Sequence, residues 1–155
     1  MLINPMLFAI AILSIGVVYG TDMFHAVVVK KAAALSKDES ITDLMGHTHL
    51  IADKRMPFFA VAGIISTLLL IVLNYQTVLA ICSIITLAAL CAHLVIYLVI
   101  AKPINTRMSA SAVAKTMPVE IRSMQLKWDS VIIYRAIVLT IAMIAIITGS
   151  LIQTV

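Results

Sequence analysis

The chain has 155 residues, of which 63% are hydrophobic and 12% charged, and its formal net charge is +4. A mean hydropathy of +1.13 excludes a soluble globular domain. Ten of the eleven basic residues lie in two connections between apolar segments, which is a topology signal and excludes a nucleic-acid-binding surface. We therefore predict an integral membrane protein built as one domain.

Four apolar segments are each close to the ~20 residues that cross a hydrocarbon core. They cover residues 5–29, 56–73, 78–101 and 131–152. No basic residue precedes the first segment and polar residues follow at its far end, so we expect a retained helix and not a cleaved signal peptide. The predicted fold is an all-α, up-down-up-down bundle of four transmembrane helices.

The connections carry their own helix signals. Ser36 and Glu39 form an S-x-x-E pattern, which predicts a capping box and a short amphipathic helix before the second span. Pro103 is expected to end the third helix, and a new helix is expected to begin near Pro118 as a cytoplasmic extension of the fourth span.

The distribution of positive charge predicts the orientation in the cell membrane. Between the segments lie Lys30, Lys31, Lys37, Lys54 and Arg55 in the first connection, and Lys102, Arg107, Lys115, Arg122 and Lys127 in the third. The second connection, residues 74–77, has no basic residue. By the positive-inside rule, both large loops are cytoplasmic and both termini are extracytoplasmic.

Ionisable residues lie inside the predicted spans near their cytoplasmic ends. Asp22 is ~12 Å deeper than Lys30 at 1.5 Å per residue, a costly position unless it faces the bundle interior or water. His25 follows three residues later, a spacing seen in bundle metal sites. Arg135 lies ~10 Å deep in the fourth helix, on one line with Trp128.

The second and third helices add polar residues at the same level. His49 and Asp53 share a helix face, whereas His47 faces away and is expected to be solvated. His93 and Tyr97 lie on a stripe of small and polar residues, which is typical of a helix face that packs on its neighbours. We predict one polar pocket in the cytoplasmic half of the bundle, walled by all four helices.

The polar residues also admit plainer interpretations. Either Asp22 or Asp53 can form a buried structural ion pair with Arg135. Tyr97 is as readily an interface aromatic as a proton donor. Glycines 20, 63 and 149 are most simply points where helices pack closely, and the small-residue stripes permit self-association as a homo-oligomer.

Taken in order, several short motifs resemble the DUF1772 family of small four-helix membrane proteins, also described as anthrone oxygenase-like. They are GTDMFHAVVV at residues 20–29, H-x-x-x-D-x-R-M-P at residues 49–57, KPIN at residues 102–105, and Trp128 with Arg135. The resemblance covers essentially the whole chain. It implies that the pocket residues are Asn105, Trp128, Arg135, Asp22, His49, Asp53 and Arg55.

By the same resemblance, the chain is similar to enzymes that oxidise an anthrone to an anthraquinone with O2. In that reaction His49, oriented by Asp53, is the expected base, and Arg135 with Asn105 stabilises the developing oxyanion. The expected substrate-contacting residues are Trp128, Tyr97, Asp22 and Arg55. A flat apolar substrate and O2 both partition into lipid, which gives a reason for a membrane location.

Two functions from different classes stay open. The first is an oxygenase-type oxidoreductase acting on a lipophilic aromatic or quinone-like molecule. It is either cofactor-free or uses a transition metal or haem iron, with candidate ligands His25, His49, His93, Asp22 and Asp53. The second is a non-catalytic membrane subunit or lipid-binding protein, whose polar cluster only fixes the packing of its helices.

Overall fold

The computed structural model describes residues 3–153, and within that range it contains four long helices and no strand. The helices are α1 (Ile3–Leu35), α2 (Asp38–Leu73), α3 (Val78–Ala114) and α4 (Ile121–Ile152), all long and apolar enough to cross a membrane. Each helix packs against the next one along the chain, and α1 packs against α4. The predicted all-α four-helix bundle is confirmed, and the chain is a multi-pass membrane protein.

The helices are longer than a bilayer requires. Their 32 to 37 residues span roughly 50 Å, compared with about 30 Å of hydrocarbon. We call the end with the 36–37 and 115–120 connections the loop end, and the end with residues 3, 74–77 and 153 the terminal end. The apolar spans lie toward the terminal end, so the loop end extends beyond the hydrocarbon.

The first connection is held by α4 and not by a local cap. The Ser36 hydroxyl donates to the Ala32 carbonyl at 2.8 Å, and the N-terminus of α2 has no side-chain cap, so the predicted capping box is wrong. Arg122 instead donates to the carbonyls of Ala33 and Ser36 at 3.0 and 2.8 Å and pairs with Asp38. The segment before the second span is helical as predicted, but it is continuous with that span.

Three of the helices contain a wide π turn and continue beyond it. These turns lie at His25–Val29, Ile41–Met45 and Tyr97–Ala101. The expectation that Pro103 ends the third helix is wrong, because the last of these turns ends two residues before the proline and the helix runs on to Ala114. The extension of the fourth span, expected near Pro118, begins at Ile121.

Close helix packing occurs at three glycines. A Cβ on Gly63 would lie 2.9 Å from Ile15 Cγ1, and one on Gly149 would lie 3.2 Å from a phenylalanine ring carbon, so both predicted close contacts are confirmed. The prediction for Gly20 is wrong, because a Cβ there would meet no atom within 4 Å. Gly46 is the tightest contact, since its Cβ would lie 2.6 Å from the Met108 carbonyl oxygen.

We expect Gly46→Ala to lower the free energy of unfolding by about 2 kcal/mol, because the added methyl group pushes α2 away from the α3 backbone. The measurement is reversible denaturation in detergent. Gly20→Ala is the matched control and should leave stability unchanged or slightly raised, because alanine favours the helix. Equal stability of the two variants would contradict this account of the α2–α3 contact.

The core is divided into two apolar clusters along the bundle axis. The terminal-end cluster contains Leu7, Phe8, Ala11, Ile15, Val18, Leu70, Ala89, Leu90, Leu139, Ala142 and Ile146. The loop-end cluster contains Ile41, Met45, Ala101, Ile104, Met108, Ile121, Met124, Trp128 and Ile132. Four buried ionisable residues, one from each helix, lie at the level between these clusters: Asp22, His49, His93 and Arg135.

Candidate functional site

A cavity of about 350 Å³ lies between the four helices, at the level where the two apolar clusters meet. Its polar and aromatic lining residues are Thr21, Asp22, His25, His49, Asp53, His93, Tyr97, Lys102, Asn105, Trp128 and Arg135. The structure therefore brings together every candidate site residue named from the sequence except Arg55, which is exposed and does not line the cavity. Lys102 also lines the cavity but was not among the candidate site residues named from the sequence. Its position in the KPIN motif could have indicated it.

Two of the π turns lie at the cavity wall. His25 begins the π turn of α1 and Tyr97 begins that of α3, and both side chains line the cavity. A π turn takes up an extra residue and changes the direction of the side chains beyond it, a feature often found at functional sites. A regular helical period therefore does not predict which neighbouring helix these two residues face.

Asp22, His93 and Arg135 form a buried polar triad that joins α1, α3 and α4. Arg135 Nη2 donates to Asp22 Oδ1 at 2.9 Å, and Asp22 Oδ2 lies 3.0 Å from His93 Nε2. All three residues are less than a tenth exposed. Of the two aspartates that the sequence offered to Arg135, the geometry selects Asp22, because Asp53 bonds elsewhere.

His93 Nε2 faces two groups that need opposite roles from it. It lies 3.0 Å from Asp22 Oδ2 and 3.3 Å from Arg135 Nε. A protonated Nε2 donates to the carboxylate, whereas an unprotonated Nε2 accepts from the guanidinium, and one nitrogen cannot do both. The hydrogen-bond pattern of the triad therefore depends on which histidine nitrogen holds the proton.

Asn105 joins a second polar network at the loop-end side of the cavity. Its Nδ2 donates to Asp53 Oδ1 at 2.9 Å, and its Oδ1 accepts from Trp128 Nε1 at 2.9 Å. The Tyr97 hydroxyl interacts with the same Asp53 carboxylate. Asp53 and His49 form no hydrogen bond within residues 3–153, so the expected orientation of His49 by Asp53 is not found, because the α3 amide engages that carboxylate.

His49 is almost completely buried at 2% exposure, and its Nε2 has no hydrogen-bond partner among the described residues. The ring centroid lies 5.2 Å from that of Trp128, which lies 5.2 Å from the His25 ring on another side. A buried polar nitrogen left unsatisfied costs about 1–3 kcal/mol and calls for an explanation. A ligand group in the adjoining cavity is the natural partner.

Arg135 also packs on the aromatic residues of the cavity. Its guanidinium carbon lies 5.7 Å from the Tyr97 ring centroid and 5.9 Å from the Trp128 ring centroid. These are cation–π distances, which favour a fixed position of the charged group. The cationic group thus lies between two aromatic rings, one of which, Trp128, also contacts His49.

The proposed ligand set for a metal is not assembled. Within residues 3–153, no three His, Cys, Asp or Glu side chains are arranged to hold a metal ion. Asp22 and His93 are engaged in the triad with Arg135, and Asp53 is bonded to Asn105, which separates them from His25 and His49. Among the described residues, these side chains therefore do not form a common metal centre.

The fold and the cavity define a class: a multi-pass helical membrane protein with a mainly apolar cavity between its helices, polar and aromatic toward the loop end. Comparison with known proteins finds no matching family model, no matching curated protein and no matching solved structure. The resemblance to the DUF1772 family therefore stays a prediction from the sequence motifs.

Proposed function

We propose that the chain is an oxygenase-type membrane oxidoreductase that oxidises a lipophilic aromatic or quinone-like molecule with O2 in this cavity. The observation that carries the proposal is the buried His49 imidazole, whose Nε2 has no partner among the described residues and which lies against Trp128 in the cavity wall. An imidazole nitrogen that no protein group occupies, beside a cavity, can reach and accept a proton from an activated C–H group.

The reaction is balanced without a further reactant. His49 Nε2 takes a proton from a CH2 group next to the substrate carbonyl system, which leaves an electron-rich enolate. The enolate carbon reacts with O2 to form a C–OOH group, to which the proton returns. Loss of water then leaves a carbonyl at that carbon, so that one oxygen atom enters the product and the other enters water.

Arg135 supplies stabilisation for the enolate oxygen. Two of its nitrogens contact Asp22 and His93, and its Nη1 makes no hydrogen bond within residues 3–153. A fixed cationic donor aimed at developing negative charge is the largest single source of stabilisation in many enzymes. Asn105 acts as a positioning residue, because its amide connects Trp128 to Asp53.

The membrane location suits this chemistry. The cavity lies near the edge of the ~30 Å hydrocarbon layer if the apolar spans are centred in it. We place the loop end in the cytoplasm, because ten of the eleven lysine and arginine residues lie between the first and second or between the third and fourth apolar segments. A lipophilic substrate and O2 both concentrate in the adjoining lipid.

The test is oxygen consumption by purified protein in nanodiscs with anthrone as substrate. We expect one O2 consumed for each anthraquinone formed, at a rate proportional to protein concentration and absent under argon. The exposed His47 allows a matched control, since His47→Ala should keep full activity. Failure of the wild-type protein to accelerate oxidation of anthrone or of simple hydroquinones would refute the proposal.

A second candidate function is a non-catalytic lipid-binding protein or membrane subunit. It is favoured by the triad, because Asp22, His93 and Arg135 satisfy one another and tie three helices together without a ligand. Under this alternative, changes in the triad lower stability, and the purified protein turns over no substrate.

A further inference from the structure

The cavity has two sections of different chemistry along the bundle axis. The section toward the loop end contains the polar and aromatic residues described above, and we call it the head section. The section toward the terminal end is lined by Ile15, Val18, Ala60, Ile64, Leu90 and Leu139, and we call it the tail section. Along α1 the tail section extends from Asp22 to Ile15, which is ~10 Å of helical rise.

One side of the cavity is open to the surroundings between α2 and α3. Val61 on α2 and Leu94 and Leu98 on α3 line the cavity, yet they are 52%, 37% and 47% exposed. These residues belong to the apolar spans, so the medium outside the gap is lipid. A hydrocarbon chain can therefore pass between the cavity and the bilayer without contacting water.

We propose that the site binds a single-tailed membrane amphiphile, with a planar phenolic or quinone head in the head section and an alkyl or isoprenoid tail in the tail section. The identity of the head rests on the proposed function, whereas the tail is inferred from the wholly apolar lining and the lateral gap. A compact polycyclic molecule would leave the tail section unfilled. The 350 Å³ volume is at the small end for ligand sites and suits one tail better than the two of a phospholipid.

Trp128 makes the inference measurable, because it is the one tryptophan of the sequence and lies in the head section. A quinone head beside it quenches its fluorescence. The experiment titrates full-length protein in nanodiscs with a tailless dimethoxybenzoquinone and with the same quinone carrying a decyl tail. Apparent affinities are corrected for the measured partitioning of each quinone into the nanodisc lipid.

Two alanine variants on α2 test where the tail lies. Ala60 lines the tail section and Ala62 does not, so Ala60→Leu fills the section and Ala62→Leu is the matched control. We expect Ala60→Leu to lower the affinity for the decyl quinone by at least about tenfold and to leave the affinity for the tailless quinone unchanged. Retained binding of the tailless quinone shows that the Ala60→Leu protein is folded. If that protein does not fold, Ala60→Val is used in its place, with a smaller expected loss of affinity for the decyl quinone.

The proposal is overturned if, after correction for partitioning into lipid, the decyl tail adds no affinity. It is also overturned if Ala60→Leu and Ala62→Leu lower the affinity for the decyl quinone equally. Retention of a diacyl phospholipid in the cavity, seen by native mass spectrometry and displaced by Ala60→Leu, would also overturn it. The readout is binding alone. A protein that binds the decyl quinone as expected but consumes no O2 keeps this inference and loses the proposed function.

Discussion

Replacing Arg135 with methionine should lower the free energy of unfolding by about 3–5 kcal/mol, the largest stability effect that we expect in this chain. Asp22 is 3% exposed; its carboxylate accepts a hydrogen bond from Arg135 and lies 3.0 Å from His93 Nε2. Methionine removes the guanidinium that pairs with Asp22 and leaves His93 as the remaining ion-pair partner of this buried carboxylate within residues 3–153. The measurement is reversible denaturation in detergent or bicelles.

The matched variants separate loss of charge balance from loss of packing. Adding Asp22→Asn to the Arg135→Met background should recover most of the lost stability, because a neutral amide no longer needs a cation. Arg55→Met, at an exposed arginine outside the cavity, should change little. If Asp22→Asn makes the Arg135→Met protein less stable still, the triad does not act as a charge-balanced unit.

Replacing His49 with phenylalanine should reduce turnover by at least about a hundredfold while leaving thermal stability equal or higher. The two parts of this expectation have one cause. Nε2 of His49 is buried without a partner among residues 3–153, so an apolar ring of similar shape removes an unsatisfied polar atom. A residue whose replacement raises stability and abolishes activity is one kept for its chemistry.

His47→Phe is the control for this experiment, because His47 is exposed two residues away on the same helix. It should leave turnover and stability unchanged. A smaller variant, His49→Ala, should regain part of its turnover when imidazole is added. A His49→Phe protein that keeps wild-type turnover would remove His49 from the role of base, and one that unfolds would show that its imidazole is structural.

The helices and the level of the polar residues were predictable because both follow from simple periodic signals. Hydropathy located the four spans, and the depth of Asp22 and Arg135 below the basic loops placed them together between the helices. The partners across helices were not predictable. Asp22 and Asp53 were equal candidates for Arg135, and only the rotation of the helices decides between them. Asn105 was identified as a site residue by the family resemblance and not by helical periodicity.

The irregularities of the backbone were also not predictable from the sequence. Proline was expected to end α3, but the π turn before Pro103 allows the helix to continue. The contact at Gly46 was missed because the glycine lies outside the apolar span, whereas Gly20 was expected to be close-packed and is not. Such features depend on the separation of neighbouring helices, which a single chain pattern does not encode.

The π turn of α3 determines the angular phase between two halves of that helix. In a regular helix at ~100° per residue, His93 and Asn105 would point about 120° apart around the axis. The extra residue in Tyr97–Ala101 removes about one residue of rotation, which brings the two directions to within about 20° of each other. One surplus residue in α3 thus lets a single helix serve the Asp22 triad and the Asn105 network on the same wall of one cavity.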